Sequence, residues 1–224
     1  MKIILIKLGS KILTTPEGRL DLNSLRNIVN QISSLQIQNQ LKFIIVSSGA
    51  ITSGALLIDN ISNSIPNKQA AAAIGQVLLM KEYYHFFQEN GLKAAQILLT
   101  NDSISNTSKQ HNIENTIFTL LKENIIPVIN ENDSVSIEEI QFGDNDILSS
   151  QVASLLAVSK YIILTDKDGI YTSNPNKNKT ATLIPKLDTI SQDMIDNSEE
   201  AADPRGKGGI KSKLMAAKHA SSNG

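Results

Sequence analysis

Cysteine is missing altogether from the 224 residues. There can be no disulfide framework, thiolate nucleophile or cysteine metal site, a composition that suits a reducing cytoplasm. Aromatic residues are scarce at 4%, which leaves an RNA-binding surface few stacking partners. Neither charge is in excess. The 21 Lys and Arg against 22 Asp and Glu give a net charge of −1, without the basic surplus that a general nucleic-acid or membrane-surface binder needs. His85, His111 and His219 are scattered on helical patterns and read as surface or satisfied groups rather than ligands. No stretch approaches the roughly 18 apolar residues of a membrane span, and the opening run breaks at Lys7 and Gly9, too early for a signal-peptide core. The signatures HExxH and GxSxG and the Walker A spacing are absent too, and no metal-ligand cluster stands out.

What remains is a chain sized for one α/β domain, with 41% hydrophobic residues to fill a core. Five short apolar runs recur: Ile3–Leu8, Phe43–Val46, Ala94–Leu99, Ile125–Ile129 and Tyr161–Leu164. They do not alternate with polar residues, which is how parallel strands covered on both faces read. Helical patterns separate them. Leu22, Leu25, Ile28, Val29, Ile32 and Leu35 follow helical spacing, with Asp21 or Asn23 as the cap. Further helices are expected over Ala70–Phe87, around Ile113–Leu121, over Ile147–Val158 and from about Gly209 to Ser222. Strands alternating with helices predict a three-layer αβα sandwich around an open, mainly parallel sheet. Val135–Phe142 reads as a small hairpin, Ser173–Thr182 as a polar surface loop, and Asp203–Gly209 as a glycine-rich loop.

Ligands of such sheets sit at the carboxyl ends of the strands, and the polar motifs all follow apolar runs. Lys7-Leu8-Gly9-Ser10 offers a point charge and a backbone that can approach a phosphate, though a strand ending in an ordinary turn has the same form. Ser47-Ser48-Gly49-Ala50 lies at a strand-to-helix junction, where a carboxylate or phosphate fits and a simple serine cap fits equally. Asn130-Glu131-Asn132-Asp133, with Gly143-Asp144-Asn145-Asp146 shortly after, is denser than turn chemistry alone explains. It suits an α-amino acid that carries both signs of charge. Thr165-Asp166-Lys167-Asp168-Gly169 reads as a nucleotide-side loop or as a tight turn. Arg205-Gly206-Lys207-Gly208-Gly209-Ile210-Lys211-Ser212-Lys213 can wrap a polyphosphate, or be a solvated basic loop.

Taken in order, these five loops resemble the amino acid kinase family, over nearly the whole span from Lys2 to His219. The pair Val128–Asp133 and Phe142–Asp146 is most similar to the branch that phosphorylates the side-chain carboxylate of glutamate. The resemblance implies ATP as phosphoryl donor, with Mg²⁺ held mainly by the ATP phosphates and no dedicated metal ligands on the protein. It implies L-glutamyl 5-phosphate as product, in the first step of proline biosynthesis. By position, Lys7, Lys213 and Asp146 match the catalytic group, with Asp146 organising the two lysines. Ser48, Gly49, Asp133 and Asn145 match substrate-binding positions. Lys7, Gly9, Thr165, Asp166, Lys207, Gly208, Gly209, Ile210, Lys211, Ser212 and Lys213 match the nucleotide side. The family's loop usually reads Gly-Thr-Gly-Gly-Met-x-Thr-Lys; here Lys207, Ile210 and Ser212 replace its Thr, Met and second Thr.

The likeness also leads one to expect a cytoplasmic homo-oligomer, with proline as a feedback inhibitor and neither nucleic acid nor membrane as partner. Residues 1–224 are expected to form a single amino acid kinase domain, without the C-terminal RNA-modification-type (PUA) domain of many members. Rival readings are a kinase of another carboxylate or of carbamate, a non-catalytic amino-acid-binding domain on the same fold, and an RNA-binding module.

Overall fold

The computed structural model describes residues 1–59, 61–136, 145–175, 177–198 and 209–222. Among them, five strands form one sheet: β1 (Ile3–Leu8), β2 (Lys42–Ser47), β3 (Lys93–Leu99), β4 (Ile125–Glu131) and β5 (Lys160–Leu164). Their order across the sheet is β3-β4-β2-β1-β5, and every pairing is parallel. Each strand coincides with one of the apolar runs, β1 with the same bounds and the other four extended by a residue or two. Continuous apolar sequence is what a strand needs when helices cover both its faces.

The two faces are filled by different residues of the same strands. Ile3, Leu5, Ile44, Val46, Leu99 and Ile129 point to one side, and Ile6, Leu8, Phe43, Ile45, Ile126 and Val128 to the other. On the first side pack α5 (Asn101–Ser105), α6 (Thr107–Lys122), α7 (Asn145–Leu155) and α9 (Ile210–Ser222), through Ile104, Ile117, Leu148, Val152 and Ala220. On the second lie α2 (Leu22–Asn39) and α4 (Ile65–Glu89), through Leu25, Val29, Leu79 and Phe86. The result is the expected αβα sandwich. The period of two along β1 also settles the side on which its one buried charge lies. Lys7 shares the parity of Ile3 and Leu5, and therefore faces α7 and α9.

Helix starts follow local chemistry. Asp21 caps α2, its carboxylate accepting from the Ser24 amide at 3.0 Å. In α4 a proline in the first turn extends the helix upstream of the expected Ala70. Two glycines allow a crossing that other residues would forbid. A Cβ on Gly54, in the short helix α3 (Ala50–Ala55), would lie 1.9 Å from the Ala71 carbonyl oxygen. A Cβ on Gly75 of α4 would lie 1.8 Å from that of Ala50. Helix α3 is thereby clamped to α4, and with it the loop leaving β2.

The helix expected after the Ser47–Ala50 junction is α3, and the structure adds short elements that the sequence does not announce: α1 (Ser10–Leu13), α5 and α8 (Gln192–Asp196). The polar stretch Ser173–Thr182 is closed at its base by an antiparallel bridge between Tyr171 and Leu183, with Thr172 N donating to Thr182 O at 2.9 Å. Most of the expected hairpin Val135–Phe142 and most of the Asp203–Gly209 loop lie outside the described residues, as do Gly143, Asp144, Arg205, Gly206, Lys207 and Gly208.

Candidate active site

All four described strand-end motifs meet along the carboxyl edge of the sheet. Lys7 stands on β1 in register with Val46 of β2 on one side and Ile163 of β5 on the other. Its ammonium is buried, 3% exposed, and forms an ion pair with Oδ1 of Asp146. Asp146 sits in the first turn of α7 and is fully buried. Its Oδ2 accepts from Lys213 Nζ at 3.0 Å and from Ser212 Oγ at 2.9 Å, both in the first turn of α9. One carboxylate thus joins a strand and two helices that are far apart in sequence.

Burial is the largest single influence on Asp146 and favours its neutral form. The charges of Lys7 and Lys213, with their hydrogen bonds, outweigh it and hold the carboxyl below its ordinary value. The cluster therefore carries two ammonium groups against one carboxylate, an excess of one positive charge in a largely dry place. It can neutralise an anion, and it has no group poised to take a proton near pH 7. The backbone of this turn is fixed from β5: Tyr161 OH lies 2.5 Å from Ser149 Oγ, which donates to the Asp146 carbonyl at 2.8 Å.

One residue earlier, Asn145 knits the ends of β2 and β4 together. Its Nδ2 is shared among the Ser47 carbonyl at 2.9 Å, Ser48 Oγ at 3.0 Å and Asn130 Oδ1 at 2.9 Å. Its Oδ1 is buried with no hydrogen-bond partner, an acceptor waiting for a donor. Ser48 and Gly49 follow β2. Gly49 adopts φ +103°, a left-handed conformation that favours glycine, and turns the chain into α3. Below them the buried Tyr83 hydroxyl lies 2.9 Å from Ser47 Oγ. Asp133 is half-buried in the turn after β4, where the Ser136 amide donates to the Asn132 carbonyl at 3.1 Å.

The described sequence-derived nucleotide positions gather toward the β1–β5 end of this edge. Gly9 follows β1 and caps the start of α1. Thr165 and Asp166 follow β5, with Lys11 Nζ 3.9 Å from Asp166 Oδ2. Gly209, Ile210, Lys211, Ser212 and Lys213 start α9, all half-buried, whereas Lys207 and Gly208 lie outside the described residues. Ser212, a departure from the family's usual threonine, supplies a hydroxyl bond to Asp146. Among the described residues no group of three or more His, Asp or Glu is placed to hold a metal, and no helix is long and apolar enough to cross a membrane.

Sequence reasoning missed Gln76, Tyr83 and Tyr161. Each acts through a bond to a distant element, and none belongs to a local motif. The one signal available was their type, polar or hydroxylated residues inside otherwise apolar patterns.

Comparison with known proteins sets this geometry in a family. The amino acid kinase family model matches residues 2–224. A protein named glutamate 5-kinase from Clostridium acetobutylicum is 43% identical over 99% of the chain and 83% of its own length. Glutamate 5-kinases of Streptococcus suis and Oceanobacillus iheyensis are each 41% identical over the full chain, which spans 63% and 60% of their respective lengths. A solved isopentenyl phosphate kinase superposes with a TM-score of 0.55 at 19% identity, over 81% of this chain and 80% of that one, a likeness of fold alone. The chain belongs to the amino acid kinase family, in its glutamate 5-kinase branch.

Proposed function

We propose that residues 1–224, as one amino acid kinase domain, transfer the γ-phosphoryl group of ATP to the side-chain carboxylate of L-glutamate. The products are L-glutamyl 5-phosphate and ADP, and the reaction opens proline biosynthesis in the cytoplasm. The observation that carries this reading is the buried Asp146 bridge between Lys7 and Lys213, with the Asn145–Ser48 pair on the adjoining residue. The names of the relatives support the same choice of substrate.

The chemistry follows from charge. A free glutamate carboxylate has a reference pKa of about 4.3, so at neutral pH it is already the nucleophile and needs no general base. Its oxygen attacks the γ-phosphorus, a new P–O bond forms, and the bond to the β-phosphate oxygen breaks with both electrons leaving on ADP. The obstacle is the meeting of two anions. Lys7 and Lys213 supply positive charge from opposite sides of Asp146, which holds both ammonium groups in place. ATP enters as its Mg²⁺ complex, the ion riding on the phosphates. Gly9, Thr165, Asp166 and the start of α9 form the nucleotide side, while Asp133, Asn145, Ser48 and Gly49 hold the amino acid. The unpartnered Asn145 Oδ1 suits an α-ammonium.

A homo-oligomer and inhibition by proline belong to the same proposal. The first is supported by an apolar stripe on the open side of α4, where Ile74, Val77 and Tyr84 are exposed. An acyl phosphate is trapped by hydroxylamine, which gives the direct test. Glutamyl hydroxamate should accumulate only when ATP and glutamate are both present. Hydroxamate formed from another carboxylate but not from glutamate would refute the assignment.

A further inference from the structure

One buried polar side chain next to the site has no role in the reaction above. Gln76 lies in α4, 8% exposed, and is held rigidly because its neighbour Gly75 is pressed against the Ala50 carbonyl. Its Oε1 accepts from Asn130 Nδ2 at 2.8 Å, and its Nε2 donates to Gln96 Oε1 at 3.3 Å. Asn130 in turn receives the Glu131 amide and Asn145 Nδ2 on its Oδ1, each at 2.9 Å.

This row of amides has a fixed direction. The Glu131 N–H can only donate, so the Asn130 atom that meets it is Oδ1. Asn130 Nδ2 must then point to Gln76, which answers with Oε1. On the other side, Asn130 Oδ1 and the Ser47 carbonyl are both acceptors, so Asn145 turns its Nδ2 to them. Two consequences reach the pocket. Asn145 Oδ1 is left as a buried acceptor without a partner. Ser48 Oγ, already accepting from Asn145 Nδ2, keeps its own proton to donate.

We infer that Gln76 is a positioning residue for the amino acid substrate: by holding the Nδ2 end of Asn130, whose sense the Glu131 N–H sets, it keeps Asn130 and through it Asn145 in place, and with them the pocket atoms that accept and donate. An acceptor at Asn145 meets the substrate's ammonium, and a donor at Ser48 meets a carboxylate oxygen. Without Gln76 the buried Nδ2 of Asn130 has no partner, and the Asn130 amide, no longer held at that end, can swing away from Asn145. The inference rests on the proposed glutamate kinase activity.

Steady-state kinetics of Gln76→Met and Gln76→Glu test it. Methionine is close to glutamine in size, so it removes the amide without opening a cavity. Glutamate retains an oxygen that accepts from Asn130. Gln76→Met should raise the glutamate KM about ten-fold while kcat and the ATP KM stay within about two-fold, and Gln76→Glu should restore most of the glutamate KM. Three results would overturn the inference: an unchanged glutamate KM in Gln76→Met, parallel changes in kcat and both KM values, or a Gln76→Glu enzyme as impaired as Gln76→Met. Should Gln76→Met fail to fold by circular dichroism, Gln76→Asn, an amide too short to reach Asn130, is read against the same criteria. Wild-type enzyme that does not turn over glutamate refutes the proposed function and this inference with it; normal wild-type turnover with an unmoved KM in the variants refutes only the role of Gln76.

Discussion

At the scale of single residues, Lys7 and Lys213 carry the same charge to the same carboxylate but from different depths. Lys7 is nearly inaccessible, while the Lys213 side chain is 20% exposed. Replacing either with alanine should cut turnover by about two orders of magnitude, the scale of other preorganised electrostatic stabilisers. Stability should divide them. Lys7→Ala leaves Oδ1 of a buried carboxylate without its cation and is expected to cost about 1–3 kcal/mol by urea denaturation; Lys213→Ala, nearer to water, should cost less. Asp146→Asn should lower turnover without creating a titrating limb near pH 7, because no proton transfer is needed. A wild-type pH–rate profile governed by one base of pKa near 6–7 would contradict this.

The sign of the acid effect follows from the depressed carboxyl of Asp146. Between the folded and unfolded values the unfolded chain binds more protons, so folding is favoured as pH rises. The stability Asp146 contributes is complete above about pH 4 and is lost as pH falls through the folded value. Melting temperatures taken from pH 6 downward should therefore fall more steeply for wild type than for Asp146→Asn. Lys7, Asp146 and Lys213 were legible as a set by family likeness, because each stands in a recognisable stretch of sequence. Gln76 was not, since a glutamine inside a helical pattern looks the same whether it faces water or an asparagine 54 positions away.

At the scale of elements, the strands were legible almost to the residue. Parallel strands covered on both faces read as short, nearly continuous apolar runs, and Ile3–Leu8 and Ile125–Ile129 have the length of a strand rather than of a helix. The long helices were legible through Leu25, Val29 and Ile32, which repeat on one face. Short helices such as α5 and α8 were not, because four or five residues cannot show a period. The glycine crossing of α3 and α4 was hidden for another reason: Gly54 and Gly75 are ordinary in isolation and matter only as a pair. Gly75→Ala should force the two helices apart, with an expected cost of about 2 kcal/mol or more in the urea midpoint. Because α3 carries the Ser48-Gly49 loop, the glutamate KM should rise with it. A variant with wild-type stability would mean that the helices are not held this closely.

At the scale of the whole molecule, the strand order brings loops from β1, β2, β4 and β5 to one edge, so residues from 7 to 213 act in one place. The open side of α4 bears on assembly. Val77→Glu puts a charge into the exposed apolar stripe, and sedimentation should show a smaller species than wild type if a second copy covers that face. Unchanged sedimentation would move the contact elsewhere. The central claim is that two lysines gathered on Asp146 drive phosphoryl transfer to glutamate. Coupled measurement of ADP release, with L-glutamate and with N-acetylglutamate, tests it most directly. The expected result is release that depends on glutamate, is far weaker with the acetylated analogue, and falls about a hundred-fold in Lys213→Ala. Equal release with both substrates, or a Lys213→Ala enzyme as fast as wild type, would contradict it.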